Sequence, residues 1–302
     1  MLDEGGMTEH IRHGGSTGTV LWWAARDACL SKRRRAVDMA RLLVRKGADV
    51  NAAGRERGGN ESYPLSWVAM AVCLGVEDAA FLATRLVVQG AKVKAVGTNG
   101  NGTMGSPLWW VAQAVWSHKT GAVEKLELAT LLMVKGADVN AAGKLEDGKE
   151  STPLWYAAWA VRDGEPAGLE LAKLLVTAEN GADVINAVGH HADVHRTKGT
   201  PLWLAAQGVR DGKADAPELA RLLISAGARL ADDEKEEFQV IIDGLTIVLD
   251  ADGDGSAVQA SEEEEGEEEQ AEEVEEEEVT LADIARGVAV AGSKRKSMHV
   301  SE

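Results

Sequence analysis

With 302 residues, a net charge of −17 and 45% hydrophobic content, the chain has room for one extended repeat domain plus a tail, at the apolar share of a globular protein. No apolar run is long enough to cross a bilayer, and Met1-Leu2-Asp3-Glu4 lacks the basic start and apolar stretch of a secretory leader, so no membrane partner and an intracellular, cytoplasmic location are expected. Phosphate neutralisation needs clustered lysine and arginine, and at this negative charge direct nucleic-acid binding is not expected either.

In chain order, residues 1–14 read as a flexible N-terminus. From Gly15 onward one phrase is written five times with variations. Its starts are Thr19-Val20-Leu21-Trp22, Tyr63-Pro64-Leu65-Ser66, Ser106-Pro107-Leu108-Trp109, Thr152-Pro153-Leu154-Trp155 and Thr200-Pro201-Leu202-Trp203, with leucines 44, 43, 46 and 48 residues apart. Its finish is Leu-Leu-Val-x-x-Gly-Ala-Asp-Val-Asn-Ala. A near-fixed period of this size marks a solenoid. The units are placed at 15–62, 63–105, 106–151, 152–199 and 200–231, followed by a terminal helix over 232–249 and a tail over 250–302.

Each unit reads as two short helices and a loop. In Thr200-Pro201-Leu202-Trp203 the threonine can cap free amides, and proline at the first helical position gives up an amide that would be unpaired anyway. Leu202, Ala205 and Ala206 then share one face. A second helix carries Leu219, Ala220, Leu222 and Leu223 and ends before Gly227, where glycine tolerates a left-handed turn. Gly47, Gly90, Gly136 and Gly181 stand at the same place. One such pair buries too little apolar surface to stand alone, so the units must stack.

These phrases resemble the ankyrin repeat, whose signature is T-P-L-H-x-A, over about Gly15 to Ala231. The resemblance implies an all-α, ankyrin-like helical solenoid with hairpin finger loops that line a concave binding face. The family period is about 33 residues, so the units are enlarged. The extra residues are placed in a longer first helix, as at Gln207-Gly208-Val209-Arg210, and in the fingers, as at Ala53 to Ser62 or Val188 to Gly199. Unit two has Gly90-Ala91-Lys92-Val93-Lys94, so its hairpin turn is expected to differ. Unit five ends in the drifted Gly227-Ala228-Arg229-Leu230. Unit four carries extra residues around Glu179-Asn180 and Ile185, which should distort the stack.

Tryptophan replaces the family histidine at Trp22, Trp109, Trp155 and Trp203, and these rings are expected to pack in the stack as a partial ladder broken at Ser66. Trp23, Trp67, Trp110 and Tyr156 lie one position on, about 100° round the helix. The two sets cannot share one face, and the second is the predicted partner-contact set. The finger residues predicted to join it are Arg55, Glu56 and Arg57, Asn99 and Asn101, Lys144, Glu146 and Asp147, and His190 and His191. Cys29 and Cys73 occupy equivalent positions of adjacent units, on helices that pack about 8–10 Å apart. That exceeds disulfide reach, so both are expected as free thiols in a reducing compartment.

Phe238, Val240, Ile241, Leu245 and Val248 are expected to line the terminal helix and cover the open end of the stack. Asp250-Ala251-Asp252-Gly253-Asp254-Gly255 looks like the first half of a calcium loop, but Ala257 and Ser261 stand where its second half needs an apolar β-branched residue and a bidentate glutamate. It reads as an Asp/Gly linker. Glu262 to Glu278 holds thirteen glutamates, and removing them leaves a net charge of −4. The repeat domain is then only mildly acidic, with a basic cluster at Lys32-Arg33-Arg34-Arg35 in its first unit, and a tract with so little to bury is expected to be disordered, with a role in solubility, as an intramolecular lure for a basic patch, or in binding basic proteins. Beyond it, Thr280-Leu281-Ala282-Asp283 has capping-box spacing, with Leu281, Ile284 and Val288 on one side of a short helix. Lys294-Arg295-Lys296 is a minimal nuclear-import-like triplet, which leaves a nuclear location open.

His190, His191, Asp193 and His195 could approach a zinc set, but a loop offers no fixed geometry and no cysteine assists, so a polar finger is expected. Phosphate-loop, hydrolase-elbow and His-Glu-x-x-His motifs are lacking. The sequence therefore predicts a non-catalytic, monomeric interaction scaffold with no cofactor and no metal, holding a protein partner on its concave face. The alternative is a charge-driven regulator whose acidic tail engages basic proteins.

Overall fold

The structure, a computed structural model, describes residues 8–98, 102–117, 121–178, 185–190 and 198–253, with the backbone alone at 236–237 and 246–253. Five helix pairs follow one another among these residues. They are α1 (Val20–Ser31) and α2 (Arg34–Arg45), α3 (Pro64–Cys73) and α4 (Ala79–Val88), α5 (Pro107–Ser117) and α6 (Ala122–Val134), α7 (Pro153–Asp163) and α8 (Ala167–Thr177), and α9 (Pro201–Arg210) and α10 (Ala216–Ser225). Helix α11 (Asp232–Gly253) closes the series. First helices pack on first helices and second on second, in two layers. This is an ankyrin-type solenoid, and α9 takes in the predicted extra turn through Arg210.

The caps work as their residue types dictate. Thr19, Ser106, Thr152 and Thr200 each accept, on the side-chain oxygen, the backbone N–H of the tryptophan three residues on, at 3.3, 3.2, 3.2 and 3.1 Å. At the other end of the pair, Gly47 takes φ 86° and lets the Ala48 N–H reach back to the Leu43 carbonyl at 3.0 Å, ending α2. Asp49 accepts the Asn51 N–H at 2.8 Å, fixing the next turn. Asn51 then bridges to unit two, donating to the Gly90 carbonyl at 2.9 Å and accepting the Lys92 N–H at 2.8 Å. Unit two, expected to turn differently, keeps the backbone turn: Ala95 N–H to Lys92 O is 3.3 Å, the same as Ala52 N–H to Asp49 O. The substitution removes the side-chain bonds and leaves the turn.

Between pairs the chain rises into two-residue hairpins, the fingers. They are β3 (Gly54–Arg55) with β4 (Glu61–Ser62), β5 (Gly97–Thr98) with β6 (Met104–Gly105), β7 (Gly143–Lys144) with β8 (Glu150–Ser151), and β9 (Gly189–His190) with β10 (Lys198–Gly199). A further hairpin, β1 (Ile11–His13) with β2 (Ser16–Gly18), precedes α1, its first strand within the stretch expected to be a flexible N-terminus. Trp23 holds it there, its Nε1 donating to the Ile11 carbonyl at 3.1 Å while the His13 ring packs edge-on at 5.9 Å. Adjacent fingers join into antiparallel sheets of order β1-β2-β3-β4 and β5-β6-β7-β8, with β9 and β10 apart.

Helix α11 covers the end of the stack with Phe238, Ile241 and Leu245, each no more than 1% exposed. Val240, expected in that set, is 72% exposed. It stands about 200° round the helix from Phe238, on the opposite side. The helix continues to Gly253, so Asp250 and Asp252 lie within its backbone rather than in a loop. Residues 254–302, with the rest of the calcium-like segment, the acidic tract, the 280–288 stretch and the basic triplet, lie outside the described residues.

Candidate functional site

The site residues stand on the first helices, and their surroundings follow from what each helix touches. Each interior first helix meets a first helix on either side and its own second helix behind, with fingers over its N-terminal half. Every residue of α3 is buried as a result.

The tryptophans that replace the family histidine pin the fingers down. Trp22 Nε1 donates to Ser62 at its carbonyl (3.2 Å) and Oγ (3.1 Å), Trp109 Nε1 to the Ser151 carbonyl at 2.9 Å, and Trp155 Nε1 to the Gly199 carbonyl at 3.0 Å. Each indole lies flat against a finger strand with no room for a side chain. A Cβ built on Gly54, Gly143 or Gly189 would come within 2.3, 2.2 and 2.3 Å of the rings. In unit two, where Ser66 takes the place of the indole, the finger closes onto it: a Cβ on Gly97 would meet the Ser66 Cβ at 2.3 Å.

The expected ladder takes a different form. Trp22, Trp109 and Trp155 do not stack on one another; each meets the next-position aromatic, its own or its neighbour's, edge to face. Trp22 packs on Trp23 at 5.0 Å and Trp67 at 6.1 Å, and Trp109 on Trp110 at 4.7 Å and Tyr156 at 5.4 Å. Trp203 pairs with Phe238 at 6.2 Å, so α11 stands in for a sixth first helix. The zigzag is interrupted at Ser66.

That geometry decides where the predicted contact set lies. Trp67 (1% exposed), Trp110 (4%) and Tyr156 (0%) are enclosed between neighbouring first helices and cannot be surface anchors. The two columns do face different ways, but the stack covers both. Trp23 alone of the four is half-buried, because no helix pair precedes α1 among the described residues.

Of the finger residues, Arg55, Arg57, Lys144 and Asp147 are exposed and His190 is half-buried. Arg55 faces Glu61 at 3.8 Å, and Asp147 meets Lys149 at 2.6 Å, a bond that holds the Asp147 carboxyl below its usual range. Burial, then the charges of Lys149 and Lys198, push the His190 imidazole down, which keeps it neutral at physiological pH. Asn99, Asn101, His191, Asp193 and His195 lie outside the described residues. No group of three metal-type ligands occurs among those described.

Residues unanticipated from the sequence complete the face. Arg26 grips Glu56 through Nε at 2.9 Å and a second contact at 3.4 Å, with its guanidinium 5.4–5.9 Å from the rings of Trp22, Trp23 and Trp67. Asp163 accepts two indole N–H groups on one oxygen, from Trp116 at 2.7 Å and Trp159 at 3.1 Å. Arg162 lies 5.5 Å over the Trp159 ring. The signal was present: Trp116 follows Trp109 by seven residues and Trp159 follows Trp155 by four, the helical spacings.

Cys29 and Cys73 are buried free thiols, and burial pushes both up to about 12 from 9.0. A thiol-specific disulfide reagent is expected to leave both untouched in the native chain at mildly alkaline pH and to label both in denaturant. Rapid native labelling would contradict their burial. Because the folded values are raised, the stability these thiols contribute is complete below pH 9 and is lost as pH climbs from about 9 towards about 12.

The ankyrin-repeat family model matches residues 18–55, from the end of β2 through α1 and α2 to β3. No curated protein matches the chain. Among solved structures, the Legionella pneumophila effector AnkC is similar over 83% of this chain and 83% of its own, at 15% identity and a TM-score of 0.41. The family match falls in the first unit, and the same helix pair recurs through α10 with a finger between each pair and the next, so the chain is built as an ankyrin-type solenoid.

Proposed function

We propose that the chain is a non-catalytic platform that holds a partner protein on the concave face formed by its fingers and first helices. Ankyrin repeats are generally protein–protein interaction modules, and one observation supports this face here. The interior first helices are enclosed on every side but one, where Gln113, Trp116 and Arg162 keep part of their surface, as do Gln207 on α9 and Trp23 and Arg26 on the end helix α1. The Arg26–Glu56 pair ties this column to the first finger, and Arg55, Arg57, Lys144, Asp147 and His190 extend along the fingers above it. Trp116 is the strongest anchor: a large ring, half-buried and held by Asp163, needs little ordering on contact. The charge of the acidic tract supports a second reading, in which the tail engages basic partners.

Capture from cell extract separates the two. The whole chain, a chain ending at Gly253, Trp116→Ala and the outer-face control Phe81→Ala are each washed in low and high salt. Partners are expected to survive high salt on the shortened chain and on Phe81→Ala, and to be weakened by roughly tenfold or more on Trp116→Ala. Equal capture by Trp116→Ala and its parent would overturn the face reading. Loss with the tail and with salt would move function to the tract.

A further inference from the structure

Lys32 and Arg33, in the turn from α1 to α2, and Arg34 and Arg35, the first residues of α2, all stand exposed. Arg34 is held by Glu77 and Asp78 at 2.7 and 3.2 Å, whereas Lys32, Arg33 and Arg35 make no ion pair among the described residues. With no acidic residue in its first turn, α2 sets this charge against the positive end of its own dipole. The arrangement costs the helix stability and favours an anionic occupant.

A candidate occupant leaves the other end of the stack on the same edge. Glu234, in the first turn of α11, reaches Thr200 at the start of α9, and Phe238 one turn later meets Trp203, so the two helices run parallel. With α9 ending at Arg210, level with about residue 244 or 245 of α11, and α11 running to Gly253, α11 overshoots by about 12–14 Å, towards the edge that carries the turns between first and second helices. Lys32–Arg35 stands at the first of those turns. Five first-helix steps of about 8–10 Å put it roughly 40–50 Å away. The 25 residues from 254 to Glu278 can span about 80–90 Å. Glu77, Glu165 and Asp211 on the intervening turns repel a glutamate tract, and Lys213 there is half-buried, with its Nζ 3.5 Å from the Asp163 carbonyl.

We propose that the glutamate tract 262–278 docks on Lys32–Arg35 of its own chain, an electrostatic latch joining the two ends of the solenoid. Tethering supplies the effective concentration that a salt-sensitive contact of this kind needs. The latch is independent of what the concave face binds.

Zero-length carbodiimide coupling of the full chain, followed by peptide mapping of the monomer band, tests it. The expected product joins Lys32 to a glutamate within 262–278, at the same yield whatever the protein concentration. Its yield should fall by roughly tenfold in high salt and in the double variant Arg33→Glu, Arg35→Glu. Both arginines are exposed and the new carboxylates suit the N-terminus of α2, so the variant's melting temperature should be no lower than the parent's. Three results would each overturn the latch: no Lys32 link in the monomer at low salt, a link confined to dimers, or a yield that ignores salt and charge reversal. A dimer-only link would make a second copy the occupant.

Discussion

Trp155→Ala is expected to lower the unfolding free energy by about 3–5 kcal/mol, the range for emptying a buried tryptophan site. The indole is fully buried, meets Tyr156 at 5.3 Å and Trp159 at 4.5 Å, and donates to the Gly199 carbonyl of the next finger. Truncation opens a cavity, removes two ring contacts and orphans a buried carbonyl together. Because each unit of a solenoid touches only its neighbours, the loss falls on the junction between units four and five. Trp155→Phe keeps most of the ring and loses the N–H, so the difference between the variants separates packing from the hydrogen bond, worth about 1–3 kcal/mol when a buried partner is left unmade. Ser66→Ala, at the equivalent position of unit two, is expected to cost only about 1 kcal/mol, since it removes one bond to the Ala95 carbonyl. Urea unfolding followed by tryptophan-independent circular dichroism measures all three. A Trp155→Ala midpoint equal to that of Ser66→Ala would show that the indole is not what fastens the finger.

The second large effect is predicted at Glu234. Its carboxylate is 7% exposed and takes three bonds at the join between α11 and unit five: from the Thr200 N–H and Oγ1 at 2.8 Å each, and from the Ala231 N–H at 2.9 Å. Glu234→Ala leaves the buried Thr200 amide and the half-buried Ala231 amide unsatisfied and should cost on the order of 3 kcal/mol, against about half that for Glu234→Gln, whose carbonyl can still accept. The loss should be local. Hydrogen exchange is expected to quicken along α11 and at the start of α9, with α1 to α5 unchanged. Uniform destabilisation, or no change in α11, would mean that the apolar contacts of Phe238, Ile241 and Leu245 hold the helix without the carboxylate.

The repeated starts and finishes made the solenoid legible because each phrase states a local requirement: a cap, a proline at the first helical position, a glycine for the left-handed stop. The N-terminal hairpin was missed, residues 1–14 being read as flexible, although Gly14-Gly15, with φ values of 59° and 87°, suits a two-residue turn. Its pairing needed Trp23, twelve residues on, and so escaped a local reading. The contact set failed for a different reason. Helical spacing shows which residues share a face, so Trp22 and Trp23 were correctly assigned to different faces, but it does not show how many faces the fold covers. The buried Lys125, whose ammonium caps the Ala114 carbonyl at the end of α5 at 3.0 Å, gave no signal at all in sequence.

The most direct test of the binding face is hydrogen exchange of the full chain with and without a partner captured in high salt. Slowed exchange is predicted in the fingers at 54–62 and 143–151 and in the C-terminal halves of α5 and α7, around Trp116 and Arg162. Slowing confined to the outer helices α2, α4 and α6, with the fingers unchanged, would contradict the account.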